Sequence, residues 1–303
     1  MIDITPLRHS DLAAVTALFN QTMAGLPYCW ELDSQQFRQL ALFDEAGPQA
    51  QLHVDSGGWL VAREGEFTWG FAHAAVGRLA DAPRPTRHGF LRQLFLHPQA
   101  PADVAAALLT AVEAFFSAQE VTERCAFHIR SGYPCALAGR GMLPGSQFRV
   151  MAALGRAGYR ISDRWLLYER SCTAPALERL PTLPGLSLQI ERDAGGGVAL
   201  YLAERSRPVA EAVVDQLPLL SAASSLISAS LRWLRVEPAY RRKGAGRWLL
   251  LRALNELAGR GAHRLIVDIN HADEAAQGLL LHLGFTELSL SGYSYRQGPR
   301  GRA

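Results

Sequence analysis

The sequence predicts an α/β (α+β) chain built from two similar domains. Three observations carry that expectation. Strand-like and helix-like apolar periodicities alternate along all 303 residues. A set of short motifs occurs twice, about 130 residues apart. Between the copies, Thr173–Pro184 carries three prolines and reads as a linker. The expected domains are therefore 1–172 and 185–303, joined by 173–184.

Taken in order, Ile2–Leu7 reads as a strand, and Asp11 is placed to cap a helix whose apolar face is Leu12, Val15, Leu18 and Phe19. Ser34–Phe43 is a second helix. Gly57-Gly58 reads as a turn, followed by a hairpin of Trp59–Arg63 and Gly70–Val76. Ala80–Thr86 is a proline-bearing loop. Phe90–Leu96 is a strand that stops at Pro98, Ala102–Phe116 a helix, and Cys125–Ile129 a strand. Ser131–Phe148 is a loop. Val150–Ala157 is a helix ended by Gly158, and Tyr159–Arg170 a last strand pair.

The second half repeats this in shortened form. Leu186–Arg192 is a strand, Gly195-Gly196-Gly197 a turn, and Val198–Glu204 with Pro208–Leu217 a hairpin. Leu231–Val236 is a strand that ends before Pro238, and Arg247–Leu257 a helix. Leu265–Asn270 is a strand, Ala275–Leu283 a helix ended by Gly284, and Phe285–Tyr295 the final strand region. In the repeat, Gly70–Val76 aligns with Pro208–Val214, Leu94–Pro98 with Leu234–Pro238, and Leu154–Tyr159 with Leu280–Phe285.

Composition narrows the class. Apolar residues make up 49% and charged ones 19%, which fits a folded, soluble chain. A net charge of +3 does not point to nucleic acid. Cys29, Cys125, Cys135 and Cys172 form no C-x-x-C pair, so a reducing compartment is expected. No apolar run reaches the ~18–20 residues of a membrane span, and the first residues do not resemble a signal peptide. These features lead to the expectation of a cytoplasmic protein. The nine histidines fall into no ligand spacing, so no metal is expected.

The richest stretch is Leu231–Leu257. Between its strand and its helix lies Arg241-Arg242-Lys243-Gly244-Ala245-Gly246. Two glycines at the mouth of a helix let the backbone turn tightly and let a ligand approach bare N–H groups. Those first-turn donors have no partner inside the helix, and the dipole there is positive. Three cations beside it further suit the place to a phosphate. The nucleotide P-loop pattern is absent, and the dinucleotide fingerprint lacks its third glycine, the residue there being Leu249.

Val236, Pro238, Arg241, Gly244 and Gly246 resemble the pyrophosphate loop of the GNAT superfamily of acyl-CoA-dependent N-acetyltransferases. The resemblance implies two tandem GNAT-like domains, each a central mixed, mostly antiparallel sheet flanked by helices. It implies acetyl-CoA as co-substrate and a primary amine of a small molecule or peptide as acceptor. The cofactor-binding residues it assigns are Leu234 and Val236 by their backbone, Arg241, Arg242, Lys243, Gly244, Ala245, Gly246 and Arg247 in the loop, and Asn270 at a strand end. The N–H of Val236 is the expected oxyanion donor. The first copy has Gln99–Val104 where the second has its basic loop, with no glycine and with Asp103. It resembles a degenerate copy that keeps two N-terminal helices which, in this family, help to wall the acceptor site.

A general base is left between two carboxylates. Glu211 sits in an apolar strand and Asp268 interrupts Leu265-Ile266-Val267. Either can serve as base directly or through water, or form a salt bridge with Arg235 or Arg232. Most family members carry a tyrosine acid four residues before the glycine of the closing helix. That residue here is Leu280, and Leu154 in the first copy. Tyr240, Tyr293 and Tyr295 are the tyrosines left near the end of the second domain. A different class of protein, a non-catalytic acyl-CoA-binding module, shares the same loop. Monomer and homodimer are both open.

Overall fold

Apolar alternation and helical periodicity produce thirteen strands and six helices among the described residues. The structure, a computed structural model, describes residues 2–42, 52–79, 86–121, 123–179, 181, 183, 185–193, 195–217 and 227–298. The expected 80–86 loop and Phe43 fall largely outside them.

The chain packs as two units. The first is Met1–Trp165 with Ser291–Ala303, and the second is Leu166–Leu290. Unit 1 contains β1 (Asp3–Pro6), α1 (Leu12–Met23), α2 (Ser34–Phe37), β2 (Leu52–Glu64), β3 (Phe67–Leu79), β4 (His88–Leu96), α3 (Ala102–Ala118), β5 (Arg124–Ala126), β6 (Leu143–Pro144) and α4 (Phe148–Arg156). It also takes the first half of β7 (Arg160–Ser171). Unit 2 takes the second half of β7 and adds β8 (Leu186–Arg192), β9 (Val198–Glu204), β10 (Arg207–Gln216), β11 (Ile227–Val236), α5 (Ala245–Ala258), β12 (Ala262–Asn270) and α6 (Glu274–His282). The last strand, β13 (Thr286–Gln297), begins in unit 2 and ends in unit 1. The division thus runs through β7 and β13, and not through 173–184.

In each unit the strand pairing is mixed and mostly antiparallel. In unit 1, β1 to β4 pair antiparallel, β4 pairs β5 in parallel, and β5 pairs β13 antiparallel. In unit 2, β8 to β11 pair antiparallel and β11 pairs β12 in parallel. α3 covers β2 and β3 in unit 1, and α5 covers β9 to β12 in unit 2. α5 has a nearly unbroken apolar face: Trp248, Leu249, Leu250, Leu251, Leu254 and Leu257 are all buried.

The repeat extends to irregularities. The β3–β4 register slips between His73 and Ala74, leaving Arg92 as an extra residue. The β10–β11 register slips between Val213 and Val214, leaving Arg232 as an extra residue. A bulge bends its strand. In both units the parallel pairing stops just before the bulge, at Leu91↔Ala126 and at Ser230↔Ile266.

Several elements differ from the sequence expectation. Gly57-Gly58 lie inside β2 rather than in a turn. A Cβ on Gly57 would sit 3.1 Å from the Trp59 ring, and one on Gly58 3.2 Å from Phe115, so these glycines make room for aromatic rings. The strand at Cys125 is shorter than expected because Phe127 has φ 54°, outside the extended region. Tyr159–Arg170 is one strand, β7, not a pair.

Candidate active site

The site in unit 2 begins where β11 and β12 part. Their register runs from Ile227↔Ala262 to Ser230↔Ile266 and stops. Beyond the bulge at Arg232 the β11–β12 register has no further pair among the described residues. Glu237 N–H donates to the Val209 carbonyl at 2.9 Å. Backbone groups alternate along a strand, so Glu237 and Arg235 direct theirs at β10. Leu234 and Val236 direct theirs to the opposite side, from which β12 has departed. On that side the Val236 carbonyl accepts from Arg241 Nε at 2.9 Å.

The loop after β11 is short and basic. Pro238–Tyr240 makes one tight turn, Arg242 has φ 61°, and Gly244 has φ 88° at the N-cap of α5. Gly244 supplies no side-chain cap. The first bond inside the helix is Trp248 N–H to Gly244 O at 2.9 Å. The N–H groups of Ala245, Gly246 and Arg247 therefore have no acceptor inside α5. Gly246 packs close to β11: a Cβ there would lie 3.5 Å from Val236 Cγ2 and 3.6 Å from Leu234 Cδ2. Arg241, Arg242, Lys243 and Arg247 are exposed and make no ion pair with a described carboxylate. Lys243 Nζ stands 5.8 Å from the centre of the Tyr240 ring. Leu234, Val236 and the whole of Arg241–Arg247 are thus gathered at one end of β11.

Asn270 ends β12. Its Oδ1 accepts from Ala272 N–H at 3.0 Å and its carbonyl from Asp273 N–H at 2.8 Å, so it shapes the turn into α6. Asp273 caps that helix through Ala276 N–H.

The two carboxylates sit on the sheet face opposite α5. Ala210 and Ala212 belong to the core under α5, so Glu211 between them faces away. Leu265, Val267 and Ile269 do the same for Asp268. The strand β11 lies between them. Glu211 is directly opposite Arg235 on β11 and pairs with it at 3.5 Å. Arg235 also stands 4.9 Å over the Trp233 ring. Arg232 is held by Asp215, not by either candidate base. On the other side of Glu211, across β9, is Tyr201. Burial first, then Glu191 and Glu211, raise the Tyr201 phenol.

The tyrosines are distributed differently from the sequence expectation. Tyr293 and Tyr295 belong to unit 1, where Tyr295 is buried among Leu91, Val104 and Leu108. Tyr240 stays in unit 2 and donates its hydroxyl to Glu204 at 2.9 Å. Leu280 is buried in the core of unit 2. Sequence reading also missed the bulge at Arg232. Its signal was present: the inward positions are Ala229 and Leu231 before it and Leu234 and Val236 after it, a one-residue slip in the alternation.

Unit 1 has a different loop at the equivalent place. Arg149 of α4 donates to the carbonyls of His97, Pro98 and Ala100. Pro101 is the N-cap of α3, and Asp103 stands in its first turn. Among the described residues no cluster of side chains is suited to a metal ion, and no helix is long and apolar enough to cross a membrane.

Residues 168–285 match the family model of the acetyltransferase (GNAT) family. No curated protein matches the sequence. Among solved structures, a tandem GNAT protein from the clavulanic acid biosynthesis pathway is similar over 100% of both chains, at a TM-score of 0.66 and 13% identity. A GCN5-related glucosamine N-acetyltransferase region of a fungal multi-domain GH3 β-N-acetylglucosaminidase is similar over 98% of this chain and 38% of that one, with a TM-score of 0.70 and 14% identity. A GCN5-related N-acetyltransferase from Sphaerobacter thermophilus is similar over 98% of this chain and 95% of that one, with a TM-score of 0.64 and 9% identity. At such identities the likeness speaks for the fold. A parted strand pair and an uncapped basic helix start thus lie within residues 168–285, the stretch that matches the acetyltransferase (GNAT) family, and the chain as a whole has the fold of a tandem GNAT protein.

Proposed function

We propose that the protein transfers an acetyl group from acetyl-CoA to a primary amine of a small molecule or peptide, and that it binds one CoA per chain, in unit 2. The observation that carries this reading is the start of α5. Three N–H groups without a helical acceptor, four exposed cations and a glycine in the left-handed region lie at the end of a parted strand pair. The pyrophosphate would rest on the N–H groups of Ala245–Arg247, with Arg241, Arg242, Lys243 and Arg247 as counter-charges. Gly244 and Gly246 leave space for it. The outward backbone of Leu234 and Val236 suits an extended pantetheine arm, and Asn270 would border it. Bound acetyl-CoA supplies an activated thioester carbonyl. The Val236 N–H would donate to that carbonyl oxygen as charge builds on it. Glu211, ahead of Asp268, would take the proton of the amine, directly or through water.

Unit 1 fits the same ligand poorly. Arg149 fills the loop by binding its carbonyls, and Asp103 would oppose a phosphate at the first turn of α3. We read unit 1 as a degenerate copy that serves as scaffold, within domains set near 1–172 and 185–303 but sharing β7 and β13. The protein is read as cytoplasmic, monomeric or homodimeric, and without a metal or nucleic-acid partner. A second reading, a non-catalytic acyl-CoA-binding module, is favoured by Leu280 at the usual acid position and by the Glu211–Arg235 pair. Calorimetric titration with CoA tests the binding, and release of free thiol from acetyl-CoA over an amine panel tests the transfer. Two equal CoA sites per chain would overturn the one-site assignment. Binding without transfer to any amine would favour the module.

A further inference from the structure

Unit 1 holds a cavity of about 510 Å³ that the transferase reading does not use. It lies at the β1–β2 edge, where β1 ends at Pro6 and its pairing with β2 stops at Leu60. Its walls are largely apolar, from Leu12, Leu42, Trp59, Leu60 and Phe115. Gly57 and Gly58 keep the adjoining stretch of β2 bare of side chains. The charged lining is cationic, Arg8 and Arg38, with His9 beside them and no acidic side chain among the described lining residues. The nearby Asp11 is already engaged by Arg63 at 2.6 Å and by the Arg8 N–H at 2.7 Å.

One wall is rigid. The Trp59 ring stacks on His73 at 5.2 Å and 27°. His73 is fully buried and tied to the Tyr133 hydroxyl at 2.6 Å. The volume lies within the usual range of about 300–1,000 Å³ for small-molecule sites.

We infer that this cavity binds a small apolar monocarboxylate, its hydrocarbon body between Trp59, Leu42 and Phe115 and its carboxylate toward Arg8 and His9. The test uses the full chain without any acyl-CoA, with octanoate as probe and octanol as its neutral counterpart, followed by calorimetry. Saturable binding of one octanoate per chain is expected, with octanol weaker by roughly fivefold or more, the worth of one exposed ion pair. Arg8→Glu is expected to weaken octanoate by a similar factor and leave octanol unchanged. Trp59→Ala removes that apolar wall, and is expected to weaken octanoate and octanol alike, each severalfold. Circular dichroism verifies that both variants fold. Absence of saturable octanoate binding overturns the inference. So does octanoate binding that both variants leave unchanged, since the ligand would then sit elsewhere.

Discussion

Gly244→Asp separates the electrostatic role of the α5 start from its role in folding. Gly244 has φ 88° and ψ −5°, a conformation that costs a non-glycine residue about 1 kcal/mol, less for Asp and Asn. Space is not the obstacle: the nearest atoms to an added Cβ are Pro181 Cβ at 3.8 Å and Cα at 3.9 Å. A carboxylate at a helix N-terminus returns about 0.3–1 kcal/mol through the dipole. Stability should therefore change little, with a melting temperature within a few degrees of the parent. Binding should change greatly. A carboxylate about 5 Å from a doubly charged pyrophosphate, at an effective dielectric of ~40, opposes it by roughly 3 kcal/mol. That is on the order of a hundredfold in Kd for CoA, measured by calorimetric titration. Gly244→Asn is the control, because it has the same shape and the same backbone demand without the charge, and should lose only severalfold. Wild-type affinity in folded Gly244→Asp would refute the assigned loop. Equal losses in the Asn and Asp variants would refute the electrostatic account and leave a steric one.

Arg241→Ala should weaken CoA binding about tenfold without lowering the melting temperature, since its bond to the Val236 carbonyl is exposed. Truncation after Leu290 should abolish the cooperative unfolding of unit 1, followed by tryptophan fluorescence. It removes the strand paired with Arg124–Ala126 and the buried Tyr295, and losing a buried aromatic alone costs about 3–5 kcal/mol. Acid should destabilise unit 1 selectively. Burial holds His73 well below its usual range and His128 down to about 4, so both stay neutral in the fold while the unfolded chain protonates as pH falls below the ordinary histidine value. Stability is thus lost on acidification from about pH 6.5 toward 4, by roughly 2 kcal/mol or more, and denaturant midpoints with hydrogen exchange resolve which unit loosens first. Glu211→Gln should lower the acetyl-transfer rate most at low pH and recover part of it at high pH, where the amine supplies its own free base; an unaltered pH–rate profile would remove Glu211 from the role of base.

The sequence was most legible where one local pattern decides the structure. The α5 start combines a strand, a proline, two glycines and a helix within one stretch, and each acts on its own neighbours. β8, β9 and β12 likewise arise from alternation. The features that stayed hidden depend on partners far along the chain. Gly57 and Gly58 read as a turn because nothing nearby reveals that Phe115 and Trp59 will occupy their side-chain space. Tyr293 and Tyr295 read as part of the second domain because periodicity places a strand without saying which sheet it joins. Ser291–Gln297 joins unit 1, with Gly292↔Pro144 and Tyr295↔Ala126 as its partners. The partner of Glu211 was legible as one of two candidates, Arg235 and Arg232. Choosing Arg235 required the β10–β11 register, which the bulge at Arg232 sets.

That bulge ties the repeat to its asymmetry. The same slip occurs in both units and ends the parallel pairing in both, so both inherit a parted strand pair. Beyond the slip the two units diverge. In unit 1 the extra residue, Arg92, turns its buried guanidinium onto the carbonyls of Ser131 and Gly132, and Arg149 does the same in the loop before α3. Side chains of the unit itself thus meet polar backbone near both places, with the hydrogen bonds that burial demands. In unit 2 the extra residue, Arg232, pairs with Asp215 instead. Parted backbone with open polar groups is unfavourable unless water or a ligand completes it. In unit 2 the proposed ligand, extended and ending in an anion at α5, would complete it.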